Sequence, residues 1–190
     1  MTLQVFLGSE FPSPKIVMLC GLAGSGKSTV SKNIARDFGY TRLSIDQILA
    51  ETYGLYGVDY PAEDYERISE LAMRKLEERF RDCLDAKQDV VLDRSFWSVD
   101  DRKACYQLLE EKNIKSYCLV YLRAGKETLW KRIETRRKEI LGPDNARQIS
   151  RDLFEQFWNG FNVPEEGENA IIIDVEASAG PFGAGKIQDA

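Results

Sequence analysis

The segment Gly21-Leu22-Ala23-Gly24-Ser25-Gly26-Lys27-Ser28-Thr29 constrains the fold of this chain more than any other feature. It matches G-x-x-x-x-G-K-[ST]. The apolar run Lys15–Cys20 (KIVMLC) precedes it, and Lys27–Phe38 follows with helical character. A buried strand, a glycine-rich turn and a helix, in that order, make a cradle for phosphate. The glycines let successive N–H groups turn inward around an anion, and the helix start adds the positive end of its dipole. With Gly21, Ala23, Gly24, Ser25 and Gly26 forming the cradle, Lys27 is expected to reach the terminal phosphates as a point charge. The Ser28 hydroxyl is expected to ligate Mg2+, and Thr29 to pack or cap beside it. A second glycine–lysine run, Gly180–Lys186, has Ile187 where the hydroxyl is required and too little chain after it for a helix.

The remaining sequence alternates short apolar runs with amphipathic stretches. Strands are predicted at Thr41–Ile45, Asp89–Leu92, Lys115–Leu122 and Ala170–Val175. Helices are predicted at Ala62–Ala86, Asp100–Lys112, Lys126–Ile140 and Asn145–Trp158. In Ala62–Ala86 the apolar positions Ile68, Leu71, Ala72, Leu76, Phe80 and Leu84 fall on one helical face. Alternation of this kind favours a three-layer α/β domain of the P-loop type, its mostly parallel five-stranded sheet covered by helices on both faces. One such domain is expected over residues 1–177, with 1–14 as an N-terminal extension and the glycine-rich 178–190 as a flexible tail. Tyr53–Tyr60 (YGLYGVDY) has neither period and reads as an ordered loop beside the site or as a plain connection.

Composition removes several chemistries. The 190 residues include no histidine, so histidine metal sites and Ser-His-Asp or Cys-His arrangements are excluded, and a general base is expected to be a carboxylate. Cys20, Cys83, Cys105 and Cys118 are widely spaced and read as free thiols of a reducing cytoplasm. The formal charge of −5 disfavours a protein built to grip nucleic acid, and no apolar run is long enough to span a membrane.

On GLAGSGKST, on LSID closing the second strand, on VVLDRSF closing the third and on YLRAGKETLWKRIETRR after the fourth, the chain resembles the P-loop kinases related to zeta toxins, chloramphenicol phosphotransferase and the kinase domain of polynucleotide kinases. The likeness runs from about Lys15 to Asp174, and only its first motif is specific. It implies ATP on the P-loop, an acceptor hydroxyl near the end of the second strand, and a lid bearing arginines. Asp46, just beyond a strand's carboxyl end where ligands bind in open α/β sheets, matches the family's catalytic aspartate and is the candidate general base. The alternative is an N-cap for a helix Gln47–Tyr53. Asp93 stands where a Walker B-like carboxylate holds Mg2+ or meets the acceptor, or else it begins a turn. Arg132 and Arg136, four apart on one helical face, are candidates to neutralise the transferring phosphoryl, Arg132 also for nucleotide binding. The alternative is a solvated charged face.

The reading that uses all these residues is an ATP- and Mg2+-dependent phosphotransferase acting on a hydroxyl of a small molecule. Two alternatives stay open: a polynucleotide 5′-hydroxyl or nucleoside/nucleotide kinase, and an ATP-dependent switch acting on a protein partner. Neither N-K-x-D nor D-x-x-G occurs as a guanine-reading pair, which disfavours a GTPase.

Overall fold

In the computed structural model, which describes residues 1–56, 58–137 and 149–176, strand β1 (Ile16–Cys20) is shielded from solvent along its whole length. Its continuous apolar run serves two cores at once, because side chains alternate across a strand. Ile16, Met18 and Cys20 enter one core and Val17 and Leu19 the other. Around it stand β2 (Thr41–Ser44), β3 (Val90–Asp93), β4 (Tyr117–Arg123) and β5 (Ile171–Asp174). All pairings are parallel and the order is β2-β3-β1-β4-β5. The fold is the expected three-layer α/β arrangement. Helices α3 (Ile45–Tyr53), α4 (Tyr65–Asp85) and α5 (Val99–Glu111) pack on one face. Helices α1 (Leu3–Leu7), α2 (Lys27–Phe38), α6 (Lys126–Arg136) and α7 (Arg151–Gly160) pack on the other.

Central β1 lies between β3 and β4, so the chain leaves it in opposite directions across the sheet. A crevice opens at the carboxyl ends of strands where the order diverges, and the glycine-rich turn sits there.

Caps account for most differences from the expected boundaries. Residues 1–14 contain a short helix, α1, whose Leu3, Phe6 and Leu7 are buried; Thr2 Oγ1 accepts from Val5 N at 3.3 Å and Gly8 ends it. Strand β2 stops at Ser44 because the Ser44 hydroxyl caps α3, accepting from Gln47 N at 3.4 Å. Helix α4 begins at Tyr65 after a 3₁₀ turn over Ala62–Asp64. Helix α7 begins at Arg151 rather than Asn145, capped by Ser150, whose Oγ accepts from Leu153 N at 3.2 Å. Of the expected lid and helix ends, residues 138–148 lie outside the described residues, as does the glycine-rich tail from residue 177 onward. Among the described residues no helix is long and apolar enough to cross a membrane.

Candidate active site

Helix α2 starts at Gly26, whose φ of +96° a side chain would strain, and no side chain caps it. Its first N–H groups therefore face an open end, the arrangement that receives an anion. Gly24 is required for a second reason. A Cβ there would lie 2.8 Å from the Leu129 carbonyl, so the turn can press against α6 only as glycine. Lys27 folds back on the turn, its Nζ donating to the Leu22 carbonyl at 3.0 Å. Burial lowers the Lys27 pKa, and the carboxylates of Asp93 and Asp46 pull it back up. The Ser25 hydroxyl is buried and has no hydrogen-bond partner among the described residues, an unmet polar group inside the cradle.

The turn opens into a cavity of about 440 Å³. Ala23, Gly24, Gly26, Lys27, Ser28 and Thr29 of the turn and the start of α2 line it. Ile45, Asp46 and Leu49 of α3 line it too, as do Tyr65, Ser69 and Met73 of α4, which are spaced four residues apart along one helix face. Asp93 at the end of β3 and the following Arg94 and Ser95 also line it. Gly21 and Ser25 do not line it, and the Gly21 amide is occupied by the Ser95 carbonyl at 3.0 Å. Asp46 stands exposed in the first turn of α3, where a carboxylate is favoured by the helix dipole, and the cap is Ser44 rather than Asp46.

Asp93 is 4% exposed and accepts on one oxygen, Oδ2, from Ser31 Oγ at 2.8 Å and from Arg42 Nη2 at 2.5 Å. Asp93 and Ser28 offer hard oxygen donors to the same cavity. That set suits Mg2+, which takes one or two protein oxygens and completes its shell with phosphate and water.

The two arginines of α6 separate. Arg136 lines the cavity, whereas Arg132 does not; its Nη1 and Nη2 donate to the carbonyls of Gly24 (3.4 Å) and Val175 (3.0 Å). The reason is the close approach of α6 at Gly24: Arg132 sits behind the turn and only the next helical turn reaches past it. Arg94 lines the cavity with its guanidinium on Asp101 Oδ1 at 2.9 Å and over the Phe96 ring at 4.7 Å. Trp97 closes one side, its Nε1 donating to the Phe157 carbonyl at 3.1 Å. Of the Tyr53–Tyr60 segment, Tyr53 closes α3, and residue 57 lies outside the described residues. Asp59 accepts from Leu55 N at 2.6 Å, and Tyr56 meets Tyr65 edge-on at 5.3 Å and 88°.

Two arginines escaped the sequence reading of the site and its frame. Arg42 of β2 is the ion-pair partner of Asp93. Arg102 has no solvent exposure and makes paired hydrogen bonds to Glu168 (2.6 and 2.9 Å), with further bonds to the carbonyls of Phe96 and Asn162. A lone cation on a predominantly apolar helix face or short strand is the only sequence signal for either.

The profile of a family described as AAA domain, AAA_33, matches residues 16–164, well over half of the chain. The chain belongs to this AAA-domain family. Among curated proteins, this AAA-domain chain is similar to a shikimate kinase of Chlorobium phaeobacteroides, with 26% identity over 89% of the chain and 85% of the relative. Among solved structures it is similar in fold to a kinase candidate of Chloroflexus aurantiacus, with TM-score 0.69, 18% identity and 87% of each chain covered. A gluconokinase of Sinorhizobium meliloti is a further fold neighbour, with TM-score 0.56, 20% identity, and 86% of this chain and 84% of that chain covered. The AAA-domain chain is thus a P-loop kinase, an ATP-dependent enzyme, as its motifs implied.

Proposed function

We propose that the chain transfers the γ-phosphoryl of Mg·ATP to a hydroxyl of a small-molecule acceptor seated between α3 and α4. The observation that carries this reading is a single cavity shared by the phosphate turn and Asp46, its lining made partly apolar by Leu49, Tyr65 and Met73. That space suits a compact acceptor beside a nucleotide, and the small-molecule kinases among the relatives support it.

In the transfer, the bond between the γ-phosphorus and the bridging oxygen breaks and a bond to the acceptor oxygen forms. The hydroxyl proton passes to the Asp46 carboxylate. In a loose transition state the base chiefly orients the hydroxyl and takes its proton late. Bound Mg2+ supplies charge neutralisation across the phosphates, and Ser28 and Asp93 are the residues that would hold it. Lys27 and Arg136 add positive charge along the cavity, where water exclusion strengthens it. Arg132 acts on the turn itself, through the Gly24 carbonyl, rather than on the phosphoryl.

ADP release with Mg·ATP is the test, across shikimate, gluconate, aminoglycosides, chloramphenicol, nucleosides, 5′-hydroxyl oligonucleotides and water alone. Strong stimulation over water by one small hydroxyl compound is expected. Stimulation by the oligonucleotide alone would move the assignment to a polynucleotide kinase, and a flat panel would move it to a protein-directed ATPase.

A further inference from the structure

Arg42 places a cation on the second residue of a four-residue strand, with its side chain only 10% exposed, yet it does not line the cavity. Its guanidinium donates to Asp93 Oδ2 through Nη2 (2.5 Å) and Nε (3.1 Å), to Ser31 Oγ through Nε (2.8 Å) and to Gln47 Oε1 through Nη1 (3.0 Å). Ser31, wholly buried, bonds to the same Oδ2 at 2.8 Å and lies 3.1 Å from the Ser28 carbonyl. Gln47 in turn donates to Glu51 Oε1 at 2.7 Å. One network therefore joins the start of α2, the end of β3, strand β2 and the first turn of α3, where Asp46 stands.

Each of these contacts on Asp93 falls on Oδ2, while Asp93 itself lines the cavity. Oδ1 is the oxygen left to meet a ligand. We propose that Arg42 is a positioning residue that fixes the Asp93 carboxylate by Oδ2, presents Oδ1 to the metal side of the cavity, and ties the α3 start bearing Asp46 to the same anchor. A planar fork can hold three acceptors in fixed directions, which a lysine ammonium cannot do, and little water reaches the network to loosen it. Partners that orient a metal-binding carboxylate influence metal affinity without touching the ion. The inference rests on the Mg·ATP reading above.

Calorimetric titration of ADP, with and without Mg2+, separates this role from a purely structural one. In the full chain, the gain in ADP affinity that Mg2+ confers is expected to fall about 10-fold in Arg42→Lys and by a smaller factor in Ser31→Ala. Affinity for ADP without Mg2+ is expected to stay within about 2-fold, since the phosphate turn is untouched. Ser31→Ala removes one hydroxyl and keeps the ion pair, so it remains informative if the Arg42 variant fails to fold. A structural role alone lowers the melting temperature and leaves the Mg2+ gain at its wild-type value, and that result in a folded variant overturns the proposal. A wild-type protein whose ADP affinity ignores Mg2+ overturns the Mg·ATP reading, and this inference with it.

Discussion

Lys27 is held against its own hydration. Burial lowers its pKa and the nearby Asp93 and Asp46 charges restore only part of it. A lysine whose folded pKa lies below its unfolded value opposes folding when charged, and the opposition vanishes only as pH rises above the unfolded value. Lys27→Met is therefore expected to melt no lower than wild type without nucleotide and to lose the rise that ATP confers. For a wild-type chain at ligand 100-fold above Kd that rise corresponds to about 2.7 kcal/mol. A thermal scan in which the variant still gains fully from ATP would remove Lys27 from the phosphate site. Asp46 poses the opposite case, a group for which we propose a chemical role and which has no capping role, because Ser44 holds the Gln47 amide. Asp46→Asn should keep α3 and ATP binding while turnover falls about 10²–10⁴-fold. Undiminished turnover with a loss of about 1 kcal/mol in stability would make Asp46 a helix-start carboxylate instead. The residues of the turn were legible in the sequence because each acts within a few positions of the next. Arg42 and Ser31 were not, because their shared partner Asp93 lies 51 and 62 positions away.

At the level of elements, the walls of the site depend on a buried pair that does not itself line the cavity. Arg102 of α5 binds Glu168, and through the carbonyls of Phe96 and Asn162 it fastens the segment after β3 to the segment after α7. Burial works against the Glu168 carboxylate, but the hydrogen bonds from Arg102 outweigh it and hold its pKa below the usual 4.5. A depressed carboxylate contributes stability in full above its unfolded pKa and loses it as pH falls through the folded value. Glu168→Ala leaves the Arg102 charge buried with only carbonyls, and is expected to cost about 3 kcal/mol at pH 7. Urea melts should show the gap between variant and wild type shrinking below pH 4.5, the ordinary carboxylate value; a gap independent of pH would mean that packing, not charge, supplies the stability. Helix α7 acts on the site as well. A Cβ on Gly160 would lie 2.4 Å from the Trp97 ring, which lines the cavity and is held by the Phe157 carbonyl. Gly160→Ala is thus expected to displace Trp97 and raise the acceptor KM, with about 1–3 kcal/mol of overpacking cost. An acceptor KM equal to wild type would show that Trp97 moves without consequence for the acceptor. The expected strands and long helices were readable from periodicity, whereas α1 is too short to display a period and the start of α7 is set by the single hydroxyl of Ser150. The separation of Arg132 from Arg136 was hidden for a different reason. Helical spacing placed them on one face, but the depth at which α6 meets Gly24 is a tertiary fact.

For the molecule as a whole, the two-sided sheet raises the question of whether its faces open together. The four cysteines answer it, since all are buried, Cys20, Cys83 and Cys105 in the core beneath α3, α4 and α5 and Cys118 in the core beneath α1, α2, α6 and α7. Burial pushes the Cys20, Cys105 and Cys118 thiols up to about 12 and raises Cys83 as well. Because the thiolate is the reactive form, a thiol reagent at pH 8 should reach none of them in the native protein. Labelling then requires opening, and its rate reports the population of whatever state exposes each site. The three central strands, β3, β1 and β4, each place residues in both cores, with β1 alternating between them at all five of its positions, so the two faces share their most buried elements. One cooperative unit is expected: the four cysteines should label at a common rate in mild denaturant, and ATP should slow all of them by the same factor. Peptide mapping of the labelled protein resolves the sites. If Cys118 reacted well before Cys20, the face carrying the phosphate turn would open on its own, and nucleotide would then protect Cys118 more than the other three.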